Sequence, residues 1–143
     1  MSYVYLAGPY SGAVEREDRN YARHLAAAAV MCKHGVPVFS PIVQSHPMCR
    51  VHGMGGAWAD WAALDREYIG AARELWVLKI PGYLESVGVR AEVGRARELG
   101  LRVVWVALDQ LSEACAGYHA RWPEADAAAE SVMKEEQEEA IGV

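Results

Sequence analysis

The chain has 143 residues, a mass of 15.7 kDa and a net charge of −5, a length that suits one compact domain. With 52% apolar and 23% charged residues it is globular rather than disordered in composition. Residues 124–143 hold seven acids and one Lys, so the preceding body has a net charge of +1. A nearly neutral body argues against a nucleic-acid polymer as partner but is compatible with a small anionic ligand.

Three further features bear on the compartment of the protein. No run of 18 apolar residues predicts a membrane span, and the N-terminus lacks the pattern of a signal peptide. Cys32, Cys49 and Cys115 are odd in number and form no C-x-x-C motif, which disfavours a disulfide framework. We therefore expect a cytoplasmic protein that contacts no membrane.

Short apolar strands alternate with helices along the chain. In chain order the pattern predicts strand Tyr3–Ala7, helix Glu15–His34, strand Val36–Ser40, helix Ala59–Ala72, strand Leu75–Ile80, helix Val87–Leu99 and strand Leu101–Leu108, then helices near Asp109–Ala120 and Glu124–Ala140. Such βαβ units predict an α/β, Rossmann-like fold, with a parallel sheet of four to five strands and helices on both faces. We assign residues 1–123 to this domain and residues 124–143 to an acidic C-terminal helix.

Ligands bind at the carboxyl ends of the strands in such sheets, so the segments after each strand are the candidate sites. The first is G-P-Y-S-G, residues 8–12. Gly8 permits close backbone approach, while Tyr10 and Ser11 offer an aromatic ring and hydroxyl groups beside a helix N-terminus. Arg16 and Arg19 follow. The alternative is an ordinary βα turn with capping residues, because neither a Walker A nor a G-x-G-x-x-G motif is present.

The second segment, residues 41–57, is predicted as a long loop that faces the substrate, because compact domains rarely contain such long connections without a function. His46 is its candidate substrate contact, with a structurally bonded loop histidine as the alternative. His46, Cys49 and His52 form an H-x2-C-x2-H pattern. It matches no common zinc signature and has no evident fourth ligand, so we predict no metal.

The third segment, E-S-V-G-V-R-A-E-V-G-R-A, contains Ser86 at the position of a helix N-cap. Gly88 and Gly94 each cost a helix about 1 kcal/mol relative to Ala, which suggests close approach of a ligand or a neighbouring element. Glu92 shares a helix face with apolar residues at i+4 and i+7 and is expected to be buried there. An exposed Glu92 paired with Arg95 is the alternative.

Asp65 provides a second carboxylate, on the helix before the third strand. With Trp61 and Tyr68 it would face the same crevice, although a solvated Asp65 paired with Arg66 is equally compatible with the spacing. Two carboxylates at one site are the usual catalytic groups for glycosidic bond cleavage, one as nucleophile and one for proton transfer.

Three motifs, Y-L-A-G-P-Y-S, the Asp65 helix and S-V-G-V-R-A-E-V-G-R-A, together resemble the nucleoside 2-deoxyribosyltransferase superfamily over about residues 3 to 107. The S-H-P and L-W-V-L-K segments also resemble an uncharacterised bacterial and phage branch of it. The resemblance implies a flavodoxin-like sandwich in which Glu92 is the nucleophile that forms a covalent glycosyl-enzyme. It also implies that Asp65 positions the sugar or transfers protons, and that Gly8, Pro9 and Tyr10 flank the substrate.

Ser86 separates two branches of this superfamily. The transferases carry Asp there, whereas Ser resembles the nucleoside 5′-monophosphate N-glycosidases, in which it contacts the phosphate. Arg19 matches the region that supplies a phosphate-binding cation in those hydrolases. The resemblance therefore predicts hydrolysis of a (deoxy)nucleoside 5′-monophosphate to free base and sugar 5-phosphate without a cofactor. The expected substrate contacts are Gly8, Pro9, Tyr10, Ser11, Arg19, His46, Trp61, Ser86 and Gly88.

Three alternatives remain open from the sequence. A deoxyribosyltransferase would exchange bases between nucleosides, and a non-catalytic nucleotide-binding module would bind without cleavage. A structural protein would act through its acidic C-terminal helix. Because active sites in this superfamily are often completed by a neighbouring subunit, a homo-oligomer is also expected.

Overall fold

The computed structural model describes residues 2–140, apart from the side chains of 125–130. Its centre is a four-stranded parallel sheet in the order β2-β1-β3-β4. The strands are β1 (Val4–Ala7), β2 (Val38–Phe39), β3 (Glu74–Leu78) and β4 (Arg102–Val106). This order matches the first four strands of a flavodoxin-like sheet, and the predicted α/β fold is confirmed.

Six α-helices surround the sheet in the described part of the chain. They are α1 (Val14–Lys33), α2 (Pro41–His52), α3 (Trp58–Gly70), α4 (Val87–Glu98), α5 (Leu111–Arg121) and α6 (Pro123–Ala140), with a 3₁₀ turn at Leu108–Gln110. All predicted strands and helices are present, with ends shifted by a few residues. Among residues 2–140, no helix combines the length and the apolarity that crossing a membrane requires.

The prediction of a loop over residues 41–57 was wrong, because most of this segment forms α2. Ser40 caps the helix by accepting a hydrogen bond from the Val43 amide at 3.1 Å, and Pro41 occupies the first turn, where its fixed φ is favourable. Gly53 ends the helix with a φ of +66°. The internal Pro47 hides this helix in the sequence, and only residues 53–57 remain as a loop.

The core lies on both faces of the sheet, as the fold class requires. Val4 and Leu6 of β1 pack with the layer of α1 and α5, whereas Tyr5 and Ala7 pack with the layer of α3 and α4. This alternation follows from the two-residue period of a strand. β1 therefore provides side chains to two separate layers, of which the second contains the candidate site.

Two helices present a different face to the core than their apolar pattern predicts. On α1 the buried positions are Asn20, His24, Ala27 and Met31, while Leu25 is 44% exposed. On α3, Leu64 is 54% exposed and its neighbour Asp65 is buried. Polar residues thus occupy part of both buried faces. On each helix, a buried polar residue lies next in sequence to an exposed leucine.

The strand order creates a crevice at the carboxyl end of the sheet. The chain leaves β1 toward α1 on one face and leaves β3 toward α4 on the other, although the two strands are neighbours. The loops after them therefore diverge, which is the usual position of a ligand site in such sheets.

Candidate active site

A pocket of about 460 Å³ occupies this crevice. Its wall combines the loop after β1, the loop after β3, the end of the 53–57 loop and the first turns of α2, α3 and α4. Of the predicted site residues it contains Gly8, Pro9, Tyr10, Ser11, Trp61, Asp65, Ser86, Gly88 and Glu92. The structure thus brings together all of the sequence candidates except Arg19 and His46.

Glu92, Asp65 and Tyr5 meet at one end of the pocket. Glu92 on α4 and Asp65 on α3 are only 7% and 9% exposed, so both alternatives with solvated carboxylates are wrong. The Tyr5 hydroxyl, fully buried on β1, donates a short hydrogen bond to Glu92 Oε2 and also interacts with Asp65. Three elements thus position two carboxyl groups around one phenol.

Burial dominates the electrostatics of this pair. Desolvation raises the pKa of Glu92 to about 8; the Tyr5 hydrogen bond opposes the increase and the Asp65 charge adds to it. Desolvation also raises the pKa of Asp65 to about 6, again opposed by Tyr5. The two carboxyl groups titrate as a coupled pair, and the single proton that they share resides mainly on Glu92, whose pKa is raised more.

The opposite rim of the pocket consists of a helix N-terminus. Ser86 caps α4 by accepting a hydrogen bond from the Val89 amide at 3.2 Å, which leaves its hydroxyl proton available to a ligand. The amide groups of Val87 and Gly88 belong to the first turn, before the hydrogen-bond ladder of the helix begins. This rim favours an anionic group because of both its donors and its helix dipole.

Arg16, rather than the predicted Arg19, provides the cation at this pocket. Arg16 lines it beside Gly82, whereas Arg19 lies one helical turn further along α1, in a neighbouring cavity. The sequence favours either residue equally, because both follow the Gly8 loop closely.

Trp58 and Trp61 at the start of α3 form an aromatic wall. The Trp61 indole donates to the Gly55 carbonyl at 2.6 Å, which fixes its orientation. A Cβ at Gly88 would lie 2.9 Å from Cδ1 of Trp58, so this glycine admits a neighbouring ring rather than a ligand. Gly94 has no neighbour within 4 Å and needs no such explanation.

The loop after β1 is fixed by buried polar groups of α1. A Cβ at Gly8 would lie 2.6 Å from Cε1 of His24, so the glycine makes room for this ring, whose Nε2 lies 3.3 Å from the Pro9 carbonyl. Asn20 donates to the carbonyl of Tyr10 at 3.3 Å. Burial lowers the pKa of His24 to about 4, so this histidine is a neutral support of the loop at physiological pH.

His46 lies behind the pocket and not on its surface. Its Nδ1 is 2.7 Å from the Tyr10 hydroxyl, its ring stacks on Tyr21, and its Nε2 is 3.3 Å from Asp18. The predicted substrate contact is therefore replaced by the structural alternative, a histidine that positions Tyr10. In the part of the chain that the structure describes, no group of three His, Cys, Asp or Glu side chains could hold a metal ion.

Residues 2–108 match the model of the family described as Domain of unknown function (DUF1937). The chain belongs to this family. The matched DUF1937 segment includes all four strands and every residue that lines the pocket, and it ends before α5. No curated protein matches the sequence.

Tyr5, which contacts both carboxyl groups, was not among the site residues predicted from the sequence. It lies in a short apolar strand, where an aromatic residue indicates core packing. The available signal was its position in the strand. Side chains alternate between the two faces of a sheet, so Tyr5 faces away from Val4 and Leu6 and toward the layer of α3 and α4, from which both candidate carboxylates come.

Proposed function

We propose that this protein hydrolyses the N-glycosidic bond of a (deoxy)nucleoside 5′-monophosphate. The observation that carries the proposal is the pair of buried carboxyl groups, Glu92 and Asp65, at one end of a pocket with an anion-binding helix N-terminus at its rim. The sequence resemblance to the nucleoside 2-deoxyribosyltransferase superfamily supports the same assignment.

In the first step, a Glu92 carboxylate oxygen attacks C1′ of the sugar. The bond from C1′ to the base breaks through an oxocarbenium-like transition state, and its electron pair leaves with the base. The reactive form of the pair is the one in which its single proton has passed from Glu92 to Asp65, and Asp65 then delivers this proton to the leaving base. The products of this step are the free base and a glycosyl ester of Glu92.

In the second step, Asp65 acts as a base. It takes a proton from a water molecule whose oxygen attacks C1′, and the ester bond to Glu92 breaks. This releases the sugar 5-phosphate and regenerates the Glu92 carboxylate. Two displacements at one carbon retain the anomeric configuration.

The polarity of the pocket orients the substrate. The 5′-phosphate would bind Ser86, the first amides of α4 and Arg16, because these groups donate to anions. Tyr10, Trp58 and Trp61 would pack against the base, and Ser11 would lie at the phosphate side. The Tyr5 hydroxyl stabilises whichever carboxylate is ionised, since its hydrogen bond favours the charged form.

The decisive experiment follows release of free base from a panel of ribo- and deoxyribonucleoside 5′-monophosphates and the corresponding nucleosides. We expect release from monophosphates, and a protein adduct with the mass of a sugar phosphate on the peptide that contains Glu92 after acid quench. Glu92→Gln should abolish both. Glu98→Gln is the matched control, because Glu98 lies on the same helix but is exposed.

Each other outcome rejects a part of the proposal. Equal base release by wild type and Glu92→Gln would exclude Glu92 as nucleophile. Release from nucleosides but not from monophosphates would exclude a phosphate site at Ser86. Base exchange with an added second base would indicate a deoxyribosyltransferase, and tight nucleotide binding without cleavage would indicate a binding module.

A further inference from the structure

A second cavity, of about 450 Å³, adjoins the pocket on the α1 side. It shares Arg16, Gly82 and Glu85 with the pocket and continues beyond them. Its full lining is Arg16, Arg19, Asn20, Arg23, Pro81, Gly82 and Glu85. A ligand group bound at the α4 N-terminus could therefore extend into this cavity past Arg16.

Three arginines form one row along this cavity. Arg16, Arg19 and Arg23 are spaced by three and four residues on α1, which places side chains on one helix face about 5–6 Å apart at Cβ. Arg23 donates to Asn20 Oδ1 at 3.2 Å, and Asn20 is itself buried and bonded to the Tyr10 carbonyl. The row is thus anchored to the loop that forms the pocket wall.

The charges of this row are not neutralised by ion pairs. Among the described residues, no carboxylate forms an ion pair with Arg16, Arg19 or Arg23. Glu85 is the only acid among the seven residues that line the cavity, so three cations face one anion there. By contrast, Arg50 and Arg121 elsewhere in the chain each bind carboxylates.

We propose that this second cavity binds the distal phosphates of a nucleoside 5′-di- or triphosphate, so that the substrate class extends beyond monophosphates. The inference rests on the proposed function for the position of the first phosphate. The guanidinium row then follows the direction in which a polyphosphate chain would continue, and each guanidinium can donate two parallel hydrogen bonds to phosphate oxygens.

The first experiment measures binding without any chemistry. Orthophosphate, pyrophosphate and tripolyphosphate are titrated into the wild-type protein by calorimetry, with EDTA present to remove divalent cations. We expect tripolyphosphate to bind at least about tenfold more tightly than orthophosphate, since added charge-assisted hydrogen bonds commonly give such gains. Arg19→Gln/Arg23→Gln should remove this difference, whereas Arg97→Gln, an exposed arginine on α4, should retain it. Equal affinity for all three anions would overturn the proposal.

The second experiment compares kcat/KM for a nucleoside mono-, di- and triphosphate with the same base. We expect the ratio of triphosphate to monophosphate to fall at least about tenfold in Arg19→Gln, mainly through KM. This single variant keeps the Arg23–Asn20 hydrogen bond intact. An equal loss for both nucleotides would assign Arg19 to the first phosphate and overturn the inference.

The two experiments separate failure of the inference from failure of the proposed function. If no nucleotide releases base, the proposed function is rejected, while the calorimetric comparison still decides the polyphosphate site. If monophosphates are cleaved but tripolyphosphate gains nothing over orthophosphate, the function stands and the second site is rejected.

Discussion

Buried carboxylates occupy both ends of the sheet in opposite electrostatic environments. At the amino end, Glu74 accepts two hydrogen bonds from Arg121, both at 2.8 Å, and one each from the Trp76 and Trp122 indoles. Burial alone would raise the pKa of Glu74, but these donors hold it below its usual value. At the carboxyl end, Glu92 accepts a hydrogen bond from the Tyr5 hydroxyl, and burial raises its pKa to about 8.

The opposite pKa shifts of Glu74 and Glu92 distinguish a buried carboxylate that stabilises the fold from one that can gain and lose a proton near neutral pH. Glu74 ties the end of α5 to β3 and is ionised at neutral pH, so it stabilises the fold and does not exchange protons there. The Glu92 and Asp65 pair destabilises the fold when both groups ionise, because two like charges are then desolvated together. Under the proposed function, this arrangement supplies the groups for proton transfer and nucleophilic attack.

The largest expected effect is the loss of activity in Glu92→Gln. Under the proposed function kcat should fall at least about a thousandfold, because the amide cannot form the glycosyl ester. The unfolding midpoint should stay the same or rise, because a desolvated acid is replaced by a neutral group of the same shape. Base release and urea denaturation of the same preparation measure both. A strongly destabilised Glu92→Gln would mean that Glu92 serves the fold, as Glu74 does.

Glu74→Gln should instead lower the stability of the protein. We expect a loss of about 3 kcal/mol in the free energy of unfolding, because Arg121 and two indoles lose their charged acceptor. Arg121→Met in the same chain should restore part of this loss, and Glu113→Gln, exposed on α5, is the neutral control. If urea denaturation gives the same free energy for Glu74→Gln as for the wild type, the hydrogen-bonded cluster does not stabilise the protein.

Stability should depend on pH with opposite signs at the two ends. The pKa of Glu92 is higher in the folded than in the unfolded chain. Its contribution to the free energy of unfolding is therefore complete below pH 4.5 and is lost as pH rises to about 8. Between pH 5 and 8 we expect the free energy of unfolding of the wild type to fall by on the order of 3 kcal/mol more than that of Glu92→Gln. The contribution of Glu74 is instead lost as pH falls below 4.5. Parallel pH curves for wild type and Glu92→Gln would contradict the raised pKa.

Tyr5→Phe gives the smallest of these effects. Without the hydroxyl, the pKa of Glu92 should rise further, because its hydrogen bond favours the carboxylate. The acidic limb of the pH profile of kcat/KM should then move upward by about one unit, which lowers the rate at pH 6 about tenfold. Tyr3→Phe is the control, because Tyr3 lies just before the same strand and loses a 2.6 Å hydrogen bond to a backbone carbonyl. An identical profile for Tyr5→Phe and wild type would exclude a role of Tyr5 in the ionisation of Glu92.

The sheet and the pocket were predictable because they depend on local signals. Apolar strands, glycine stops and the N-cap Ser86 placed the loops at the carboxyl end of the sheet, and the helical spacing placed Glu92 on a buried face. α2 was missed because Pro47 suggests a break, although Ser40, Pro41 and Gly53 bound a helix. Here the capping signals outweighed the internal proline.

The remaining features depend on three-dimensional packing. The role of Glu74 was invisible because its partners Arg121 and Trp122 are almost 50 residues away. The buried faces of α1 and α3 include the polar residues Asn20, His24 and Asp65, which hydrophobic periodicity would treat as solvent-facing. Arg16 and not Arg19 lines the pocket, and sequence spacing alone does not distinguish the two.

The tryptophans allow the two ends of the sheet to be followed separately by fluorescence. Four of the five lie at the two ends of the sheet: Trp58 and Trp61 line the pocket, and Trp76 and Trp122 contact Glu74. A stacked nucleobase quenches indole fluorescence, whereas loss of the Glu74 cluster moves buried indoles into water and shifts their emission to the red. Trp58→Phe and Trp61→Phe would therefore separate a binding signal from an unfolding signal in one unlabelled sample.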